Sequence, residues 1–133
     1  MVKPPHFPTN GAPDHTTIVV VDPEPLYRWF ATESLGGGDV DVLASASLED
    51  AEACLRASGS LDLLIVDGGL LHGDTRRLCR LRERARVGVL VLDPDGDLSG
   101  HGLGDVTVAA KPVDSAALVS LVARQLRRSV PAA

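Results

Sequence analysis

Two acidic residues stand directly after apolar runs in this sequence. Residues 63–66 are four consecutive aliphatic residues, and they lead into Asp67 and a pair of glycines. Residues 17–21 form a similar run, rich in β-branched side chains, that leads into Asp22. A carboxylate at the tip of a buried strand costs free energy unless a cation or hydrogen-bond donors meet it. The two runs therefore predict an acidic site that has a positively charged partner.

Two later apolar runs also end in charged residues, one at Asp93 and the other at Lys111. Two or three carboxylates with one ammonium group suit a small hard cation and a transferring phosphoryl group. In that chemistry Asp67 would be the nucleophile, Asp22 would hold the metal ion, and Lys111 would bind a phosphate oxygen.

Segments with helical spacing separate the apolar runs. The first begins at Pro25, and its Leu26, Trp29, Phe30 and Leu35 recur at the interval that predicts one buried helix face. Strands that alternate with helices predict a parallel sheet with right-handed crossovers and helices on both faces. The chain is therefore predicted to form an α/β domain.

The strand order 2-1-3-4-5 would bring the four charged residues to one edge of the sheet. In open parallel sheets the functional crevice lies at the carboxyl ends of the strands. Asp22, Asp67, Asp93 and Lys111 would follow the first, third, fourth and fifth strands. Only 17 residues separate Asp93 from Lys111, so the fourth helix is expected to be short or missing.

The length and composition predict a single domain with an aliphatic core. A chain of 133 residues is long enough to bury such a core without disulfides or metals. Four prolines in residues 1–16 predict a disordered N-terminal tail, and residues 17–130 are expected to form the domain. No apolar run approaches the roughly 20 residues that cross a bilayer, so we expect a cytoplasmic protein without membrane contact.

The charge distribution is acidic overall and basic in one segment. A net charge of -5 argues against nucleic-acid binding by the whole surface. Six arginines lie between positions 76 and 86, and they predict either a solvated helix face or a docking patch for an acidic partner. The excess of arginine over lysine hints at a GC-rich bacterial genome.

The residues around Asp22 and Asp67, together with Lys111-Pro112, resemble the receiver domains of two-component response regulators. The similarity extends over residues 17–130, which is most of the chain. It implies a flavodoxin-like (CheY-like), doubly wound sheet of five parallel strands.

The resemblance also implies roles for individual residues. Asp67 is expected to be the phosphoacceptor, and Lys111 the lysine that binds the phosphoryl group. Asp22 and Asp67 are implied metal-site carboxylates, and the backbone carbonyl of Gly69 is a third implied metal ligand. The Lys111-Pro112 peptide bond is expected to be cis, which fits a tight turn after a strand. The implied cofactor is Mg²⁺, and the implied partner is a histidine kinase or a phosphotransfer protein.

The sequence departs from the receiver pattern at several site positions. Pro23 stands where receivers carry a second acid, so Mg²⁺ is expected to bind weakly or to be lost unless Glu24 substitutes as a ligand. Asp93 replaces the expected hydroxyl residue and would repel a phosphoryl group. Val108 occupies the position of an aromatic switch residue and offers no ring to rotate inward. Pro23, Asp93 and Val108 are therefore expected to modulate the site.

Two functions follow from these residues. In the first, a stand-alone receiver accepts a phosphoryl group on Asp67 and passes the signal to an unknown output protein. The alternative is a phosphorylation-independent pseudo-receiver that acts as a protein–protein interaction module. No enzyme activity is expected beyond self-catalysed phosphoryl transfer to Asp67. The sequence does not decide whether the chain forms a homodimer. A flavodoxin-like small-molecule site is disfavoured because residues 22–25 lack a glycine- or hydroxyl-rich phosphate cradle.

Overall fold

Five parallel strands form one sheet in the order β2-β1-β3-β4-β5. The computed structural model describes residues 15–95 and 106–128. This order confirms the predicted α/β, flavodoxin-like sheet. The strands are β1 (Thr16–Val21), β2 (Val40–Ser45), β3 (Leu61–Asp67), β4 (Ala85–Asp93) and β5 (Thr107–Ala110).

The described residues include four α-helices, of which three connect strands and the fourth follows β5. The expectation of a short or missing fourth helix falls on residues 96–105, which lie outside the described residues. A short 3-10 helix, Gly68–His72, follows β3 directly. The helices are α1 (Pro25–Leu35), α2 (Leu48–Ser58), α3 (Thr75–Arg84) and α4 (Ser115–Arg128).

The N-terminal segment is described only from His15 onward, and the expected tail otherwise lies outside the described residues. Thr16 already belongs to β1, since its backbone N–H donates to the carbonyl of Asp39 at 2.8 Å. The first strand therefore begins one residue before position 17.

Polar residues set the helix boundaries. Side-chain oxygens of Ser47, Asp74 and Asp114 each accept the backbone N–H of the residue three positions further on. These bonds satisfy N–H groups that the first helical turn leaves without a partner. α1 instead begins with Pro25, whose missing N–H is no loss at that position. Gly59 caps the carboxyl end of α2 and adopts a left-handed φ of 84°.

The core has two layers, one on each face of the sheet. Val19 and Leu64 pack with α2 and α3, whereas their neighbours Ile18 and Leu63 pack with α1 and α4. All four side chains are buried. Because helices cover both faces, the central strands are continuous apolar runs, and charged residues occur only at their ends.

The predicted apolar face of α1 is partly wrong. Leu35 is buried and Phe30 packs against the core, but Leu26 and Trp29 are 74% and 65% exposed. The buried stripe instead includes Tyr27, which comes one residue after Leu26. One residue turns a helix by about 100°, so this offset moves Leu26 and Trp29 to the solvent side.

The arginine-rich segment links elements within the domain. Guanidinium nitrogens of Arg77 and Arg80 on α3 lie 2.7 and 2.9 Å from carboxylate oxygens of Glu52 on α2. The hydrogen bond from Arg80 lowers the pKa of Glu52. Arg86 at the start of β4 binds Asp62 of β3 at 2.7 Å. These side chains therefore hold elements together, a role that neither sequence-based alternative included.

The core can be tested by comparing two leucines. Leu78 on α3 is fully buried, so Leu78→Ala should lower the free energy of unfolding by about 2–5 kcal/mol through lost packing and the cavity left behind. Leu26→Ala removes the same atoms from an exposed site and should change the free energy of unfolding by less than about 0.5 kcal/mol. Urea unfolding followed by circular dichroism measures both values. Equal losses would contradict the described packing.

Candidate functional site

An ammonium group bridges two carboxylates at the carboxyl edge of the sheet. Lys111 Nζ lies 2.7 Å from Asp22 Oδ2 and 2.7 Å from Asp67 Oδ1. Asp22 follows β1 and Asp67 ends β3, and these two strands are neighbours. Lys111 follows β5, which β4 separates from β3. A long side chain is needed to cross that gap. The three predicted residues thus meet, and we call them the Asp–Lys–Asp triad.

The carboxylate oxygens that face away from Lys111 also have donors. Asp22 Oδ1 accepts the backbone N–H of Glu24 at 2.9 Å, and Asp67 Oδ2 accepts that of Gly69 at 3.1 Å. Asp22 is buried and Asp67 is half-buried. All four carboxylate oxygens are therefore hydrogen-bonded within the protein, which offsets the cost of holding two acids at a partly buried site.

The environment of Lys111 keeps its side chain charged. Burial would lower the pKa of Lys111, but its hydrogen bonds to Asp22 and Asp67 outweigh that effect. The pKa is therefore raised above the ordinary value of 10.5. The Lys111 side chain is therefore positively charged at neutral pH.

Tyr27 supports the triad from α1. Lys111 Nζ lies 4.1 Å from the centroid of the Tyr27 ring, a distance suited to a cation–π interaction. The ring packs edge-on against Phe30, with centroids 5.5 Å apart. Burial raises the pKa of the Tyr27 hydroxyl, which stays protonated. Sequence reasoning missed Tyr27, although its spacing of three from Phe30 on a helix was a usable signal.

Asp93 lies at the same edge but outside the triad. Its carboxylate accepts the backbone N–H of Asp95 at 3.0 Å, and its backbone carbonyl accepts the N–H of Lys111 at 2.9 Å. A Cβ atom on Gly68 would lie 2.2 Å from Asp93 Oδ1, so only glycine fits at that position. The Asp93 carboxylate therefore lies against the residue next to Asp67.

Comparison with known proteins gives one curated relative in sequence. No protein-family model matches the chain. Transcriptional regulatory protein AruR of Pseudomonas aeruginosa is 32% identical over 120 residues. The match includes 84% of this chain and 49% of AruR, so the chain spans about half the length of that relative.

Solved structures share the fold. A response regulator receiver protein from Sinorhizobium medicae WSM419 superposes with a TM-score of 0.70 at 19% identity, covering 88% of this chain and 98% of that one. The signal receiver domain of an HD domain-containing protein from Pseudomonas fluorescens Pf-5 gives a TM-score of 0.67 at 20% identity, with coverages of 86% and 97%. The chain therefore has the fold of response regulator receiver domains.

A further structural neighbour is an atypical response regulator. It is an atypical orphan response regulator protein whose structure revealed a phosphorylation-independent regulatory mechanism. Its TM-score is 0.60 at 21% identity, with coverages of 84% of this chain and 96% of that one. In the described segments of the present chain, no helix is long and apolar enough to span a bilayer.

The remaining predicted site residues do not join the triad. Pro23 and Glu24 are exposed at the start of the β1–α1 connection. Val108 on β5 is half-buried and packs against the core. The Lys111-Pro112 peptide bond is cis, which confirms that prediction.

The donor set does not fit Mg²⁺ in this arrangement. Magnesium requires near-octahedral oxygen ligands, usually including one or two carboxylates that are free to bind it. Here Lys111 lies between the carboxylates of Asp22 and Asp67, and Pro23 contributes no side-chain ligand. Within residues 15–95 and 106–128, no group of three or more His, Cys, Asp or Glu side chains is arranged to hold a metal ion.

Removal of the ammonium group should destabilise the domain in a pH-dependent way. Lys111→Met leaves two acids without their shared cation, so the free energy of unfolding should fall by about 1–3 kcal/mol at neutral pH. The folded state raises the Lys111 pKa, so this contribution is complete below the ordinary value of 10.5 and is lost as pH rises through the folded-state pKa. Urea unfolding across pH measures the difference from the wild type.

Arg124→Met provides the control for this experiment, since it removes an exposed cation from α4. It should change stability by less than about 0.5 kcal/mol at every pH. Equal effects of the two substitutions, or a Lys111 effect that grows above pH 10.5, would contradict the described triad.

Proposed function

We propose that this receiver domain transmits its signal by protein–protein contact without phosphorylation of Asp67. The observation that carries the proposal is the Asp–Lys–Asp triad, in which Lys111 binds both carboxylates at 2.7 Å. A receiver domain is a signalling module and not a classical enzyme, so its output depends on the surface that it presents to another protein.

The charges at the site support the proposal that phosphoryl transfer is disfavoured. Transfer requires a nucleophile in line with the phosphoryl group and cations that neutralise the developing charge. The Asp67 oxygens are already hydrogen-bonded to Lys111 and to the Gly69 N–H. The carboxylate of Asp93 places further negative charge against Gly68. The positive charge of Lys111 is therefore already neutralised by the two carboxylates of the site.

The similar proteins support a regulatory role. AruR is a transcriptional regulatory protein, and one structural neighbour works by a phosphorylation-independent mechanism. In the proposed function, an unidentified output protein recognises this domain in the conformation that the triad holds. No phosphate donor is required for that recognition.

A second candidate function is phosphoacceptance by Asp67 within a two-component phosphorelay. The observation that favours it is the partial exposure of the Asp67 side chain, 18%, at the end of a central strand. Lys111 is also close enough to contact a group attached to Asp67. The donor would be a histidine kinase or a phosphotransfer protein, and the receiver domain would catalyse the transfer to itself.

Chemical phosphorylation separates the two candidates. The wild type, incubated with Mg²⁺ and acetyl phosphate, should show no phosphoryl adduct by intact mass spectrometry. Pro23→Asp supplies the acid that receivers carry at this position and should gain an adduct, which Asp67→Asn in the same background should abolish. An adduct on the wild type that is absent from Asp67→Asn would reject the first candidate and establish the second.

Magnesium binding can be measured without phosphorylation. A ligand that binds only the folded state at 100 times its Kd stabilises it by about 2.7 kcal/mol. Because the wild-type donor set does not fit Mg²⁺, millimolar Mg²⁺ should leave its thermal midpoint unchanged. Pro23→Asp should show a higher midpoint with Mg²⁺, and the uncharged control Pro23→Asn should not. A higher thermal midpoint of the wild type with Mg²⁺ would contradict the conclusion that its donor set does not fit the ion.

A further inference from the structure

A cavity lies at the opposite end of the sheet from the triad, where the strands begin. Its volume is about 560 Å³, within the range of about 300–1,000 Å³ typical of small-molecule sites. His15, Asp62, Arg84 and Arg86 are among the residues that line it, and we call it the basal cavity. Asp62 and Asp67 are separated by five positions of β3, or roughly 16 Å. The basal cavity is thus distinct from the triad.

Asp62 fixes one wall of the basal cavity. This residue is 5% exposed, and both of its carboxylate oxygens have donors. Oδ2 accepts the backbone N–H of Thr17 at 2.8 Å, and Oδ1 accepts Nε–H of Arg86 at 2.7 Å. The buried carboxylate is therefore neutralised within the protein, and it holds the guanidinium of Arg86 in place.

A bulge in β4 lies opposite Asp62. Leu61 pairs with Ala85, but Leu63 pairs with Gly88, so the single residue Asp62 faces two residues of β4. Gly88 has a φ of 137°, which side chains other than glycine rarely adopt. Bulges of this kind re-aim side chains. The strand here departs from regular pairing at the position that carries Arg86.

Two anchored guanidinium groups line the basal cavity. Arg84 donates from Nη2 to the carbonyl of Leu55 at 3.3 Å, and Arg86 uses Nε for Asp62. Among the residues that the structure describes, the two Nη groups of Arg86 have no protein partner, and the side chain is 44% exposed. A guanidinium has five N–H donors, and its planar fork matches the oxygens of a carboxylate or a phosphate.

We propose that the basal cavity binds a small organic oxyanion, meaning a molecule that carries a phosphate or a carboxylate group. Arg84 and Arg86 would be the ligand-binding residues, and Asp62 a positioning residue for Arg86. Among the described residues that line the cavity, Asp62 is the one carboxylate, and it is already paired with Arg86. His15 contacts the carboxylate of Asp41, and the guanidinium groups of Arg84 and Arg86 give the cavity an excess of positive charge. The proposal does not depend on the function of Asp67.

An NMR titration of the full chain tests the proposal with two probes, inorganic phosphate and citrate. Each should produce saturable shifts in the backbone amides of Thr17, Asp62 and Arg86. Tighter binding of one probe identifies the class of oxyanion, and either preference supports the site. Arg84→Gln removes one cation without unpairing Asp62, and should weaken binding about tenfold.

Arg76→Gln is the matched control, because it removes an exposed arginine of α3 that does not line the cavity. It should leave the affinity unchanged. Arg86→Lys retains a cation beside Asp62 but loses the planar guanidinium that can donate two parallel hydrogen bonds. It should therefore also weaken binding while the chain stays folded. Three outcomes would overturn the proposal: no saturable shift with either probe, shifts centred on Asp67 instead, or equal weakening by Arg84→Gln and Arg76→Gln.

Discussion

The ammonium group of Lys111 between two carboxylates is the interaction on which the functional edge of this domain depends. Asp22 and Asp67 end adjacent parallel strands, so the fold itself brings two negative charges together. Without a cation their repulsion and desolvation would oppose folding. Lys111 reaches them only because β4 and β5 complete the sheet on that side. The strand order therefore brings the two acids together and also places Lys111 where its side chain can reach them.

Acidic residues near both ends of β3 are paired with cations. The interior of this strand is apolar and covered on both faces, and its two acids lie near its ends. Asp62 is paired with Arg86 at the beginning, and Asp67 is paired with Lys111 at the end. Each acid is partly or fully buried, and each has a cation from a different strand or connection. Charged residues thus join elements that are distant in sequence, while the aliphatic core supplies the bulk of the packing.

Local patterns in the sequence predicted the strands, and the resemblance to receiver domains implied their order. Given that order, the meeting of Asp22, Asp67 and Lys111 follows, because parallel strands share a carboxyl edge. The contact between Tyr27 and Lys111 could not be derived in the same way, because it depends on how α1 is rotated about its axis. The exposure of Leu26 and Trp29 has the same origin.

Other features depend on register, which local patterns do not determine. The pairing of Asp62 with Arg86 occurs where β4 contains one extra residue, and nothing in the alternation of β4 indicates that bulge. The ion pairs of Arg77 and Arg80 with Glu52 depend on the packing of α3 beside α2. A run of arginines therefore resembles a free basic surface in the sequence, although several of these side chains are paired in the structure.

The most direct test of this account is a high-resolution crystal structure of the chain grown with Mg²⁺. In that crystal structure, Lys111 Nζ should lie within hydrogen-bond distance of both Asp22 and Asp67, with no metal ion between the carboxylates. Electron density for a magnesium ion bound by Asp22 and Asp67, with the Lys111 side chain displaced, would contradict it.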